Sequence, residues 1–202
     1  MCYGRKYKEI IIPSTVKKIG EGCFDECSFL KTILFEGSSR AYLNIICHKG
    51  TIPEDVVVRC TSDSTIIEDG IVYSLNQDKA SYSIAGVGKT TYVLEPKQLI
   101  DGLPVTSVRT YAFEYDKNLK LVKLPEGITS IGSRAFYGAN LLKISLPTTL
   151  SLIGDDAFCN STILEVENFS SLNIVSQDEE TGNFPTTLKN VYSPTTGEQK
   201  LF

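Results

Sequence analysis

Four times in this chain an aliphatic residue is followed five positions later by phenylalanine: Ile19/Phe24, Val108/Phe113, Ile131/Phe136 and Ile153/Phe158. The last three phenylalanines are spaced by 23 and then 22 residues, a period that belongs to proteins built of stacked coils. A unit of that length cannot bury its Ile, Phe and Leu side chains alone. Its stability comes from covering its neighbours, so the coils must stack. Burying one such side chain is worth roughly 1.5–3 kcal/mol, which makes a coil's gross gain only comparable with the entropy lost in ordering it.

Much of each unit recurs. The run from Ile11-Ile12-Pro13 to Ile19-Gly20 matches Lys123-Leu124-Pro125 to Ile131-Gly132 and Ser145-Leu146-Pro147 to Ile153-Gly154, and Gly102-Leu103-Pro104 to Val108 is a looser copy. A small residue precedes each phenylalanine (Cys23, Ala112, Ala135, Ala157), and a leucine follows six positions later (Leu30, Leu119, Leu142, Leu164). Leu121-Val122-Lys123-Leu124 and Lys143-Ile144-Ser145-Leu146 read as short strands, each stopped by a proline that lacks an amide donor. Thr129-Ser130-Ile131 and Ser151-Leu152-Ile153 are second strands. Glycine then breaks the strand, and residues 133–137 and 155–158 predict one helical turn each, with Ser133 and Asp155 suited to cap it. Equivalent strands of successive coils should pair in parallel, making a sheet along one side of a solenoid.

The repeat is interrupted. From Ser38 to Ile100 no five-step pair occurs; residues 69–84 read as two strands joined by a polar turn, with a third strand from Thr90 to Leu94 and an irregular approach from Gly37 to Thr65. At the other end, Phe184-Pro185-Thr186-Thr187-Leu188 to Val191 copies Leu146-Pro147-Thr148-Thr149-Leu150 to Ile153, but Thr196 stands where the next phenylalanine is due. The expected organisation is a first coil (1–37), an approach and β-hairpin insert (38–100), three consecutive coils (101–170) and a degenerate half-coil with a cap (171–202). The polar stretch from Ser193 to Lys200 should shield the open end of the stack. No comparable cap precedes Ile10, so the chain is expected to start in mid-solenoid, as an excerpt of a longer protein.

These residues resemble the BspA-like, or Treponema-type, leucine-rich repeats, whose unit reads Leu-x-x-Ile-x-Leu-Pro-x-x-Ile-x-x-Ile-Gly-x-x-Ala-Phe-x-x-Cys. Ile10 to Cys27 with Ile33-Leu34-Phe35 carries the first copy, and Leu119 to Ala139 and Leu142 to Ser161 the best later ones. The family cysteine is present as Cys27 and replaced by Asp116, Ala139 and Ser161. The insert is similar to a hairpin that often precedes the first full repeat of such a block. The resemblance implies an α/β, β-rich leucine-rich-repeat solenoid with coils of about 22–23 residues, parallel short strands, short helical turns and an inserted β-hairpin. Relatives are commonly surface proteins of bacteria and some protists, and similar repeats occur in phage proteins.

Chemistry-bearing motifs are sparse. Gly86-Val87-Gly88-Lys89-Thr90-Thr91 after a strand is similar to a phosphate-binding loop, but Ser83 stands at the first glycine position and no amphipathic helix follows, so a turn of the hairpin insert accounts better for the glycines. Of six cysteines, Cys23 and Cys27 occupy core positions of the repeat. Cys47-His48 with Cys60 offers three metal ligands but no fourth and no paired spacing, and a Cys47–Cys60 disulfide requires export. His48 is the only histidine, which leaves little room for a histidine-based hydrolytic site. Asp155-Asp156 and Asp178-Glu179-Glu180 read as solvated charge on loops. Asn160-Ser161-Thr162 and Asn168-Phe169-Ser170 fit the glycosylation pattern and matter only in a eukaryotic secretory pathway. No catalytic, cofactor or metal site is expected.

A net charge of −4 without a basic stripe argues against nucleic acid, and the longest apolar runs are too short to insert in a membrane. The N-terminal residues lack an apolar signal core: a surface or secreted location is expected if the chain is a fragment, an intracellular or virion-associated one otherwise. The expected function is non-enzymatic recognition, protein binding or adhesion to a host or bacterial surface protein, through an exposed strand face with Lys123, Thr129, Lys143, Ser145 and Ser151 as candidates. The alternative is a structural or spacer segment of a larger surface or phage virion protein.

Overall fold

The computed structural model describes residues 6–47, 51–53, 55–88, 91–174, 184–194 and 197–201. The chain divides into two compact units, residues 1–74 and 75–202. In the first, β1 (Glu9–Pro13), β2 (Lys18–Ile19), β3 (Thr32–Glu36), α1 (Ser39–Tyr42), β4 (Ile46–Cys47), β5 (Val57–Cys60), β6 (Thr65–Glu68) and β7 (Ile71–Leu75) follow in order. β1, β3 and β5 form a parallel ladder in which Ile10, Ile33 and Val58 stand in one register row and Ile12, Phe35 and Cys60 in the next. Alternate residues face inward, so Ile33, Phe35, Val58 and Cys60 are buried. Between Gly37 and Thr65, where the sequence carries no repeat signal, the chain nonetheless completes coils: β2 pairs with β4 in parallel, and β5 takes the next rung beside β3.

The ladder then turns antiparallel through β6 and β7. Asp69 and Gly70, with φ of 52° and 76°, close that hairpin as the two-residue turn whose twist matches paired strands. The Asp63 carboxylate accepts from the Thr65 hydroxyl (2.6 Å) and from the Ser39 amide and hydroxyl (2.8 and 2.7 Å), tying the start of α1 to the hairpin.

The second unit contains β8 (Tyr82–Val87), β9 (Val93–Leu94), β10 (Leu99–Ile100), β11 (Leu103–Val108), β12 (Leu121–Lys123), β13 (Ser130–Ile131), β14 (Lys143–Leu146), β15 (Leu152–Ile153), β16 (Glu165–Asn168), β17 (Asn190–Ser193) and β18 (Glu198–Leu201). It is a solenoid whose coils run along two parallel sheets. One carries β8, β11, β13 and β15, with Val108, Ile131 and Ile153 in a row. The other carries β9, β12, β14, β16 and β17, with Leu94, Val122, Ile144, Val166 and Val191 in a row. The four phenylalanines Phe113, Phe136, Phe158 and Phe184 stack through the core at centroid separations of 4.9, 5.1 and 4.4 Å.

The third wall of each coil departs from expectation. Residues 133–137 and 155–158 form no helical turn; α1, four residues long, is the only α-helix among the described residues. Tyr111, Phe113 and Tyr115 donate their amides to the carbonyls of Ser133, Ala135 and Tyr137 at 3.2, 2.7 and 2.8 Å. Arg134, Phe136 and Gly138 donate to Asp155, Ala157 and Cys159 at 2.9, 2.7 and 2.9 Å. A helix would close its amides within its own coil. Here Tyr111, Arg134 and Asp156 adopt left-handed φ of 62°, 54° and 56°, which swings alternate amides onto the next coil and makes a third hydrogen-bonded wall.

Two further expectations shift. Gly86 lies within strand β8 rather than in a turn; Lys89 and Thr90 lie outside the described residues. Val191, expected to copy Ile153, stands instead in register with Val166, and Phe184, aligned in sequence with Leu146, extends the phenylalanine stack. The local Pro-Thr-Thr-Leu turn is reproduced, with Leu188 donating to Pro185 at 3.0 Å as Leu150 does to Pro147 at 3.2 Å, but it occupies a different corner of the coil. β18 folds back antiparallel on β17 and covers its edge; Thr196 lies outside the described residues.

Candidate functional site

Because strand residues alternate between core and solvent, the sheet of β9, β12, β14, β16 and β17 presents two outward rows. Val93, Leu121, Lys143, Glu165 and Asn190 form one, and Lys123, Ser145, Glu167 and Tyr192 the other. Lys143 is central: its Nζ reaches Glu167 Oε1 at 2.7 Å and Glu165 Oε2 at 3.7 Å. The hydrogen bond that Lys143 donates to Glu167, and then the charges of both carboxylates, hold its ammonium above the ordinary lysine range. Lys143, Glu165, Glu167, Asn190, Tyr192 and Gln199 line a shallow depression of about 190 Å³.

Three of the five sequence candidates, Lys123, Lys143 and Ser145, therefore share one face. Thr129 and Ser151 do not join them. They precede β13 and β15 in the other sheet, where the Thr129 hydroxyl donates to the Thr106 carbonyl (3.2 Å) and the Ser151 hydroxyl to the Thr129 carbonyl (3.1 Å). Both tie one coil to the next. Glu165 and Glu167 escaped the sequence reading, although carrying Lys143 and Ser145 forward by one 22-residue period finds both. Asn190 and Tyr192 were hidden because the following coil is three residues longer.

Of the remaining chemistry-bearing residues, Asp178, Glu179 and Glu180 lie outside the described ones. Cys60 is buried, and desolvation pushes its thiol up to about 11. Cys47 is exposed on β4, and His48 lies outside the described residues. Among those residues no group of three or more His, Cys, Asp or Glu could hold a metal, and no helix is long and apolar enough to cross a membrane. Asn160 is exposed and donates to the Tyr137 hydroxyl at 2.5 Å. Asn168 is buried, bonded to the Leu172 carbonyl and to Ser170.

The register rows, the recurrent Ile-Gly…Phe corner and the stacked phenylalanines agree with a comparison against known families. The profile described as BspA type leucine rich repeat region matches residues 1–66 and 103–198, in six copies. The chain belongs to that family. Leucine-rich repeat proteins generally mediate protein interactions. No curated protein matches the chain. Among solved structures, a leucine-rich repeat protein from Eubacterium ventriosum is 20% identical over 91% of this chain and 47% of its own, with a TM-score of 0.49. A leucine-rich cell surface protein from Faecalibacterium prausnitzii is 22% identical over 64% of this chain and 38% of its own, with a TM-score of 0.43. The pneumococcal vaccine antigen PcpA is 18% identical over 93% of this chain and 56% of its own, with a TM-score of 0.42. The chain thus spans less than half the length of the first two.

Proposed function

We propose that this chain is a non-enzymatic recognition module that binds a protein, or mediates adhesion to one, through the outer face that carries Lys123, Lys143 and Ser145. The observation supporting this reading is the pair of outward rows held in register across successive coils. Those side chains contribute nothing to the core beneath them, so they can be exchanged without disturbing the stack. The depression beside Lys143 adds Glu165, Glu167 and Tyr192, a mixture of charge and aromatic surface suited to a protein partner. A host or bacterial surface protein is the expected partner class; nucleic acid and membrane insertion are not part of the reading.

The test uses the double variant Lys123→Glu, Lys143→Glu. Wild-type protein is used to capture a partner from surface-protein extracts, and the captured protein is then purified and titrated against both forms. Binding should fall at least about tenfold in the variant, the scale of losing 1.4 kcal/mol, while stability drops by no more than the roughly 1 kcal/mol that exposed ion pairs such as those of Lys143 with Glu165 and Glu167 contribute. Equal affinity removes this face as the binding surface. A second reading, a spacer segment of a larger surface or virion protein, is supported by the backbone ladders that join successive coils on all three walls; it predicts that no partner is captured.

A further inference from the structure

The sheet that carries Lys123 and Lys143 is closed at one edge and open at the other. β18 folds antiparallel onto β17 at one side, whereas the opposite edge is β9, and no described strand pairs with β9 other than β12. The Tyr92 carbonyl accepts from the amides of Lys120 and Leu121 at 2.8 and 3.2 Å, and Leu94 stands in register with Val122. Backbone groups address alternate sides along a strand, so Tyr92 and Leu94 face β12, and Val93 turns its N–H and C=O to the open side. Among the described residues no backbone partner meets either group. Buried or not, such groups seek a partner, and an unpaired strand edge is a template for another strand.

The side chains around this edge are free to receive one. Tyr92, Val93 and Leu121 are 59%, 50% and 43% exposed, while Leu94 is fully buried beneath them. Val93 and Leu121 lie side by side as the first members of the outward row that continues to Lys143. Alternation places Glu95 on the Val93 side; it is exposed, and no described cation pairs with its carboxylate. The open edge therefore offers an amide and a carbonyl at strand spacing, an apolar step beside them and an anion two residues on. An extended backbone about 4.8 Å away satisfies the first pair, an apolar side chain covers the step, and a basic one answers the anion.

We infer that β9 is an acceptor edge: a protein partner lays an extended segment along it as an added strand, with an apolar side chain beside Val93 and a basic one beside Glu95. This mode of engagement rests on the recognition reading of the outer face and specifies how the partner meets it. Main-chain bonds to Val93 supply affinity, and the alternate side chains supply selectivity.

The probe is a synthetic peptide, Thr-Lys-Thr-Val-Thr-Lys-Thr, whose lysines flank the valine so that either strand direction sets one beside Glu95. Titrated into isotope-labelled protein, it should move the amide resonances of Val93 and Glu95 with a Kd on the order of 1 mM and leave those of β18 in place. Val93→Pro removes the outward N–H and keeps the ladder to β12, since an edge strand takes proline where its N–H faces away; the peptide should then bind at least about tenfold more weakly. No movement at Val93 up to about 10 mM peptide, undiminished binding by Val93→Pro, or equal binding of a peptide with glutamate for both lysines overturns the inference. Should Val93→Pro melt early, Val93→Lys replaces it, because a lysine on the edge repels the added strand: about tenfold weaker binding supports the inference, and unchanged binding overturns it. Wild type that self-associates without peptide, and ceases to in Val93→Pro, gives the edge to a second copy and also overturns it. A captured partner lost by Lys123→Glu with Lys143→Glu but held equally by Val93→Pro sinks the acceptor edge and leaves the recognition reading standing; loss by Val93→Pro alone does the reverse.

Discussion

Phe136 is fully buried and sits between two rings, 4.9 Å from Phe113 and 5.1 Å from Phe158, with interplanar angles of 15° and 3°. Phe136→Ala removes a side chain whose burial is worth roughly 1.5–3 kcal/mol. The parallel ladders on three walls hold the coils at fixed spacing, so the site cannot collapse. A residual cavity on the order of 100 Å³ adds about 2 kcal/mol at about 24 cal/mol per Å³. The expected loss is about 3–5 kcal/mol, towards the upper end because two stacked contacts disappear together. Urea unfolding followed by circular dichroism and tyrosine fluorescence measures it; the chain has ten tyrosines and no tryptophan, so tyrosine is the intrinsic probe. Leu152→Ala, at a position 59% exposed, should stay within about 0.5 kcal/mol. A loss at Phe136 below about 1 kcal/mol would show that the phenylalanine stack does not carry the fold.

Two further outcomes follow from coil-to-coil contacts. A Cβ on Gly132 would lie 2.4 Å from the Thr110 nitrogen, and one on Gly154 2.5 Å from the Ser133 nitrogen; both obstacles are backbone. Gly132→Ala and Gly154→Ala should each cost about 1–3 kcal/mol through overpacking, and thermal melts indistinguishable from wild type would contradict the close approach. The Glu126 carboxylate accepts from the Thr148 hydroxyl (2.7 Å) and amide (3.1 Å), and the hydroxyl bond, then the amide bond, hold it below its ordinary value of 4.5. A carboxylate lowered in the folded state contributes stability above that value and loses it as the pH falls through the folded one. Glu126→Gln should therefore melt slightly below wild type near neutral pH, the exposed position keeping the effect small, and the gap should close in acid. A gap of equal size at about pH 7 and pH 3 would rule out the linkage.

The repeat was legible because burial imposes it: Ile131 and Phe136 recur with their spacing intact wherever a coil must cover the next. The hairpin turn at Asp69-Gly70 was legible too, since that dipeptide suits paired left-handed residues, but the reading placed Asp69 at the start of a strand. The helical turns were misread for a physical reason. Asp155-Asp156-Ala157-Phe158 satisfies every local rule for a capped turn, and nothing within four residues reveals that Asp155, Ala157 and Cys159 must offer their carbonyls to the amides of the preceding coil. Thr129 and Ser151 were placed on the recognition face for a similar reason: both are solvent-exposed, as read, but local alternation does not tell which of the two sheets a segment joins, and theirs is the sheet of β13 and β15.

By itself the sequence determined that coils of about 22 residues stack around aliphatic and phenylalanine side chains, because apolar spacing follows from alternation along each strand and is local to it. The tertiary structure alone decided which amides cross from coil to coil, which turn occupies which corner near Phe184, and which polar residues remain on a shared outer face. Those outcomes depend on register between segments 20 or more residues apart. Local chemistry permits several registers, and only the stacked core and its ladders of hydrogen bonds select one.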